Sequence, residues 1–104
     1  MKNFLTPQQL GPGSWFAIHS LSINSRTREE HKAVLFLIKI YANKLFCSKC
    51  QEHFRDFIRD NPPIKFLKEK GNLFYWTWLA HEFVNQFLGK KGISYSDAKR
   101  LYSQ

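Results

Sequence analysis

Val34, Leu35, Ile38, Tyr41, Ala42 and Leu45 recur three and four residues apart, which lays them along one stripe of a helix. No alternation of apolar and polar residues competes with it anywhere in the chain, so strands are not expected. Thr27-Arg28-Glu29-Glu30, just before the stripe, has the form of a capping box and predicts a helix from there to about Leu45. By the same reasoning Ser14 caps a helix from Trp15 to about Ile23. Another helix runs from Ser48 or nearby to about Asp60, ended by Asn61-Pro62-Pro63. A last long helix spans Leu73 to Leu88, with Gly89 at its C-cap. Ile64 to Lys70 reads as a short helical turn broken by Gly71-Asn72, and Ser94-Tyr95-Ser96-Asp97 caps a short helix to Tyr102. Residues 1–13, with Pro7, Gly11, Pro12 and Gly13, read as an irregular lead-in. The expectation is one all-α domain over residues 1–104, a four-helix bundle with a short fifth helix.

A domain of 104 residues buries only part of its surface and often leans on a disulfide, a metal, a large cofactor or a second subunit. Ten Phe, four Tyr and three Trp exceed what a minimal core needs, which leaves rings for a flat ligand or a partner. The formal charge of +8 suits a polyanion, whether nucleic acid, an anionic membrane surface or a phosphate-bearing cofactor, and does not choose among them. The longest apolar run, Ala33 to Ile38, is too short to span a bilayer, and the start does not resemble a signal peptide. The expectation is a soluble, cytoplasmic protein with no membrane partner. Two cysteines, two residues apart, cannot form a disulfide framework, so the pair is a metal half-site or a redox centre.

Cys47-Ser48-Lys49-Cys50 closes a small ring on oxidation. At a helix start its thiols also feel the helix dipole, which lowers thiol pKa and favours exchange. Zinc uses the same spacing, and His53, three residues on, can join Cys47 and Cys50; that gives a zinc-stabilised binding module as one alternative. A basic helical nucleic-acid-binding domain is another, although no helix concentrates Arg and Lys enough to favour it. On the last long helix His81 and Asn85 lie four apart on one face, with Trp78 and Leu88 on the same side. Trp15 and His19 repeat that geometry on the first helix. Buried polar groups among aromatics need partners, and a heteroaromatic ligand in a flat slot between the two helices would supply them. Lys90 and Lys91, just past the last long helix, are placed to meet a pyrophosphate.

Together, Trp15-Phe16-Ala17-Ile18-His19, Cys47-Ser48-Lys49-Cys50 and His81 through Asn85 followed by Leu88-Gly89-Lys90 resemble the Erv/ALR family of FAD-linked sulfhydryl oxidases. Gly11-Pro12, Tyr75-Trp76-Thr77 and Lys90-Lys91 before Ile93-Ser94-Tyr95-Ser96 are similar to the minimal members of large cytoplasmic DNA viruses. The resemblance implies that FAD is held at one end of the bundle, with no metal, and that the chain works as a homodimer in host cytoplasm or virion. It implies that Cys50 lies beside the isoalloxazine and Cys47 faces incoming thiols. It makes Gly11, Trp15, His19, His81, Asn85, Leu88, Lys90, Lys91, Tyr95 and Tyr102 the cofactor contacts. A protein dithiol is the implied substrate, molecular oxygen the acceptor, and nucleic acid is no specific partner. Phe46 replaces a common proline, Glu82 a common asparagine, and Pro12-Gly13 stand where some relatives carry arginine. With no further cysteine among these residues, a separate dithiol protein such as a thioredoxin-like relay is expected to deliver the electrons.

Overall fold

A computed structural model describes residues 7–44, 48–70 and 72–103. The first helix, α1 (Pro7–Asn24), starts well before the expected Trp15, so the segment read as an irregular lead-in is helical from Pro7 onward. Proline at the first helical position loses no bond, and its fixed φ suits that turn. Gln8, Gln9 and Leu10 favour helix, and Pro12 forfeits only one hydrogen bond near the start. Ser14 therefore lies inside α1 and is not its cap.

The second helix, α2 (Arg28–Lys44), begins on the capping box as expected. The Glu30 N–H donates to Thr27 Oγ1 at 3.1 Å, while the Thr27 and Arg26 N–H groups donate to Glu30 Oε1 at 2.9 and 2.8 Å. Its expected last residue, Leu45, lies outside the described residues, as does Cys47. The third helix, α3 (Ser48–Asp60), carries Cys50 in its first turn. Pro63 then starts α4 (Pro63–Lys70), a two-turn helix and not the single turn read from the sequence. The Phe66 N–H donates to Pro62 O at 3.0 Å, so the two prolines that end α3 also open α4.

The fifth helix, α5 (Leu73–Leu88), is capped at both ends. Asn72, read only as a breaker, is its N-cap and accepts from the Tyr75 N–H at 3.0 Å. At the other end Gly89 takes φ 66°. The Lys90 N–H donates to Asn85 O at 3.0 Å and the Gly89 N–H to Gln86 O at 3.4 Å, a Schellman motif. The short α6 (Tyr95–Tyr102) starts where Ser94 Oγ accepts the Asp97 N–H at 3.1 Å.

Helices α1, α2, α3 and α5 pack in a ring, each against the next, and α5 also carries α4 and α6 on its outer side. The expected four-helix bundle is present, accompanied by two short helices instead of one. Ile18, Ile38, Phe54 and Trp76 fill the centre, with Ala42 and Ala80 where helices approach closely. Trp76 is fully buried and its indole N–H donates to Asn61 O at 2.7 Å, which fastens α5 to the end of α3. No strand occurs among the described residues, and none of their helices is long and apolar enough to cross a membrane.

A Cβ at Gly89 would meet nothing within 4 Å, so a side chain there is opposed by the left-handed backbone alone. Gly89→Ala is expected to cost about 1 kcal/mol. Urea unfolding should show a lower midpoint with an unchanged slope.

Candidate functional site

His19 and His81 meet across the α1–α5 interface. Both come from i, i+4 pairs with the face turned inward: Trp15 with His19 on α1, Thr77 with His81 on α5. His19 Nε2 lies 2.9 Å from His81 Nδ1, and His19 Nδ1 lies 3.0 Å from Thr77 Oγ1. Thr77 in turn donates its hydroxyl to Phe74 O at 2.8 Å. Trp15 stacks on His81 with ring centroids 4.1 Å apart and planes 6° from parallel. Phe74 presents an edge to His19 at 5.8 Å, and Tyr102 from α6 lies 5.0 Å from the same ring.

The two polar–aromatic pairs therefore touch directly. The flat slot expected between α1 and α5 is filled by their own rings, since a stacked pair at 4.1 Å has no space for a third ring. What the helices form is one continuous wall of Trp15, His19, His81 and Tyr102. Trp15 and His19 are buried within it, and half-buried His81 and Tyr102 are the members that reach the surface.

Burial first, and the neighbouring His81 second, hold the His19 pKa down at about 3. Burial, then the positive charge of Lys90, hold that of His81 at about 4. Both rings are therefore neutral at pH 7, which is what lets them sit among aromatics without a counter-charge. Burial also pushes the Tyr102 hydroxyl up.

The remaining predicted residues are placed as follows. Gly11 lies one turn before Trp15 in α1, and Cys50 one turn before Phe54 in α3. Phe54 is fully buried and packs on Trp15 at 5.4 Å across the core, one turn along α3 from Cys50. Asn85 is half-buried and follows His81 by one turn of α5; Leu88, Lys90 and Lys91 are exposed at that helix end. Tyr95 does not touch the histidine pair. It packs on Phe74, Tyr75 and Trp78, and its hydroxyl accepts from Asn72 Nδ2 at 3.0 Å. Trp78, expected beside His81, instead turns to the segment after α5 and donates from Nε1 to Ile93 O at 2.9 Å. His53 stacks face to face on Phe87, and no three His, Cys, Asp or Glu side chains come together among the described residues.

Two residues of the site escaped the sequence reading. Thr77 appeared there only as part of Tyr75-Trp76-Thr77. The available signal was its place four residues before His81, a lone hydroxyl in an apolar helix needing a partner. Glu82 appeared only as a replacement for asparagine, yet its carboxylate accepts the Ile93 N–H at 3.0 Å and holds the segment carrying Lys90 and Lys91. A cavity of about 320 Å³ opens beyond Phe74, between the end of α1, the starts of α2 and α5, and α6. Tyr95, Asn72, Arg26 and Lys99 line it, and no carboxylate is among its described lining.

An all-α bundle whose third helix carries Cys50 in its first turn, with a tryptophan-covered histidine pair between its first and fifth helices, is the framework to compare with known proteins. The chain belongs to the Erv1 / Alr family, whose model matches residues 12–103. It is 31% identical over 98 residues to an FAD-linked sulfhydryl oxidase of African swine fever virus, covering 90% of this chain and 80% of that one. It is 30% identical over 89 residues to the FAD-linked sulfhydryl oxidase ERV1 of Arabidopsis thaliana, covering 83% of this chain and 46% of the plant protein. A probable FAD-linked sulfhydryl oxidase of Acanthamoeba polyphaga mimivirus is 28% identical over 98 residues, 90% of this chain and 68% of the viral one. No solved structure matches.

The buried histidines make stability depend on acid. Their folded pKa values lie below the ordinary 6.5, so the unfolded chain binds protons first as pH falls. Stability is full above about pH 6.5 and is lost as pH drops from there towards 4 for His81 and towards 3 for His19. His19 alone should contribute a loss of about 2 kcal/mol between pH 7 and pH 5. Urea midpoints at the two pH values should differ accordingly, and His19→Gln should shrink the difference to the part His81 contributes.

Proposed function

We propose that this chain is an FAD-dependent thiol oxidase that forms disulfides in a protein dithiol and passes the electrons to molecular oxygen. The family match over residues 12–103 carries this reading, together with the ring cluster of Trp15, His19, His81 and Tyr102, which Phe54, one turn along α3 from Cys50, joins through Trp15.

The residues fit such a cofactor by their chemistry. Half-buried His81 and Tyr102, backed by Trp15 and His19, offer a weakly polar aromatic edge for a fused heteroaromatic ring. Lys90 and Lys91 follow α5 with charges suited to a pyrophosphate, and Glu82 and Trp78 fix the segment that holds them. Gly11, Asn85, Leu88, Tyr95 and Tyr102 complete the proposed contact set. When bound, the flavin accepts two electrons and yields them to oxygen, giving hydrogen peroxide.

The chain's own part is thiol–disulfide exchange. A substrate thiolate attacks the Cys47 sulfur of the Cys47–Cys50 disulfide, forming a mixed disulfide and releasing the Cys50 thiolate. The second substrate thiolate attacks the substrate sulfur of that bond, so the substrate leaves oxidised and Cys47 leaves as thiolate. Cys47 and Cys50 now hold two electrons as a reduced pair, and would give them up to the bound cofactor on reforming their disulfide. In balance, one dithiol and one oxygen molecule become one disulfide and one hydrogen peroxide. A thioredoxin-like dithiol protein is the proposed donor, and the protein works as a homodimer in the cytoplasm. Phe36 and Ile40, exposed on the outer face of α2, are apolar surface that pairing would cover.

Purified protein is expected to be yellow and to consume oxygen with dithiothreitol, releasing an equal amount of peroxide. Cys50→Ser should keep the flavin spectrum and lose turnover to background. A correctly folded but colourless protein that takes up zinc through Cys47, Cys50 and His53, and no FAD, would sink this reading.

A further inference from the structure

Four groups in a row — Phe74 carbonyl, Thr77 hydroxyl, His19 ring and His81 ring — are linked by three contacts of 2.8, 3.0 and 2.9 Å. A hydroxyl has one proton to give. If Thr77 gives it to Phe74 O, its oxygen must accept from His19, so His19 carries its proton on Nδ1. His19 Nε2 is then a lone pair and must accept from His81, so His81 also carries its proton on Nδ1. The lone pair of the row ends on His81 Nε2. If Thr77 instead gives its proton to His19 Nδ1, every step reverses, both rings become Nε2–H, and the Phe74 contact loses its hydrogen. The first order makes three hydrogen bonds and the second makes two. Both orders need neutral rings, which burial supplies. Thr77 is itself fully buried, so no water competes for its hydroxyl.

We propose that Thr77 is a positioning residue: by committing its hydroxyl to the Phe74 carbonyl it sets His19 and His81 as Nδ1–H tautomers and leaves His81 Nε2 as a hydrogen-bond acceptor for the ligand of the site. The ligand edge that meets it is then an N–H or O–H donor. The identity of that ligand as FAD rests on the function proposed above; the tautomers do not. In this assignment Thr77 acts only through the two rings.

Long-range nitrogen–proton NMR correlation on protein labelled with ¹⁵N histidine reads each ring's tautomer directly. His19 and His81 should both show the Nδ1–H pattern near neutral pH. In Thr77→Val the Phe74 bond and the acceptor are gone, so His19 is expected to shift its proton to Nε2 and drive His81 to Nε2–H. Thr77→Ser, which keeps the hydroxyl, should restore the wild-type pattern. The FAD dissociation constant should rise about tenfold in Thr77→Val, the worth of one hydrogen bond, and stay within about twofold in Thr77→Ser. Nε2–H rings in the wild type, or unchanged rings in a folded Thr77→Val, would overturn the proposal. So would equal or tighter FAD binding by Thr77→Val. Should the valine variant not fold, the wild-type and serine spectra still decide. A wild-type protein that takes up no FAD defeats the oxidase reading while its ring tautomers remain readable, so the two failures are distinct.

Discussion

An imidazole buried among aromatic rings is tolerated only if it is neutral and both nitrogens are satisfied. His19 meets that condition with Thr77 on one side and His81 on the other, and all of its partners come from α5. The requirement joins α1 to α5 at a defined rotation and height, because one misplaced turn would leave a polar nitrogen stranded in the core. Apolar packing alone would accept several registers. The histidine pair therefore does for the α1–α5 interface what a single buried polar group does in other helical assemblies: it selects one arrangement.

Helix α5 is the axis around which the other elements are arranged, and three of its faces have separate tasks. Trp76, Ala80 and Val84 fill the core. Thr77 and His81 meet α1. Trp78 and Glu82 reach outward to Ile93. These faces differ by a single residue in sequence, so the helix distributes packing, site and loop support at its own period. The same arrangement explains why the aromatic content is high. Phe54, Phe57, Trp76 and Phe83 form one chain of contacts through the core, while Tyr75, Trp78 and Tyr95 form another outside it.

Much of the fold was legible because apolar spacing and cap residues are local signals. Thr27 with Glu30, Ser94 and Gly89 each end up in the role their sequence context suggests. The start of α1 was not legible, since Pro12 and two glycines argue against helix while Pro7 at the first position quietly permits it. Nor was α4, where a pair of prolines stops one helix and starts another. Within the site, Trp15, His19 and His81 stood out by residue type and spacing, which are properties of single helices. The direct stacking of Trp15 on His81 and the anchoring role of Thr77 depend on how two helices meet. That relation is set by tertiary packing and leaves no mark in either helix alone.

Trp78 and Glu82 are one turn apart, and they engage both backbone polar groups of Ile93: the indole donates to its carbonyl and the carboxylate accepts from its amide. Two side chains thus imitate the paired bonding that a neighbouring strand would offer. The six residues from Gly89 to Ser94 are held at the near end by the helix cap and close to the far end by this grip. A segment fastened that way has little conformational freedom left to surrender. Whatever binds beside it meets a surface already in place and pays little for ordering it, so affinity there is governed by contact quality and not by the loop's search.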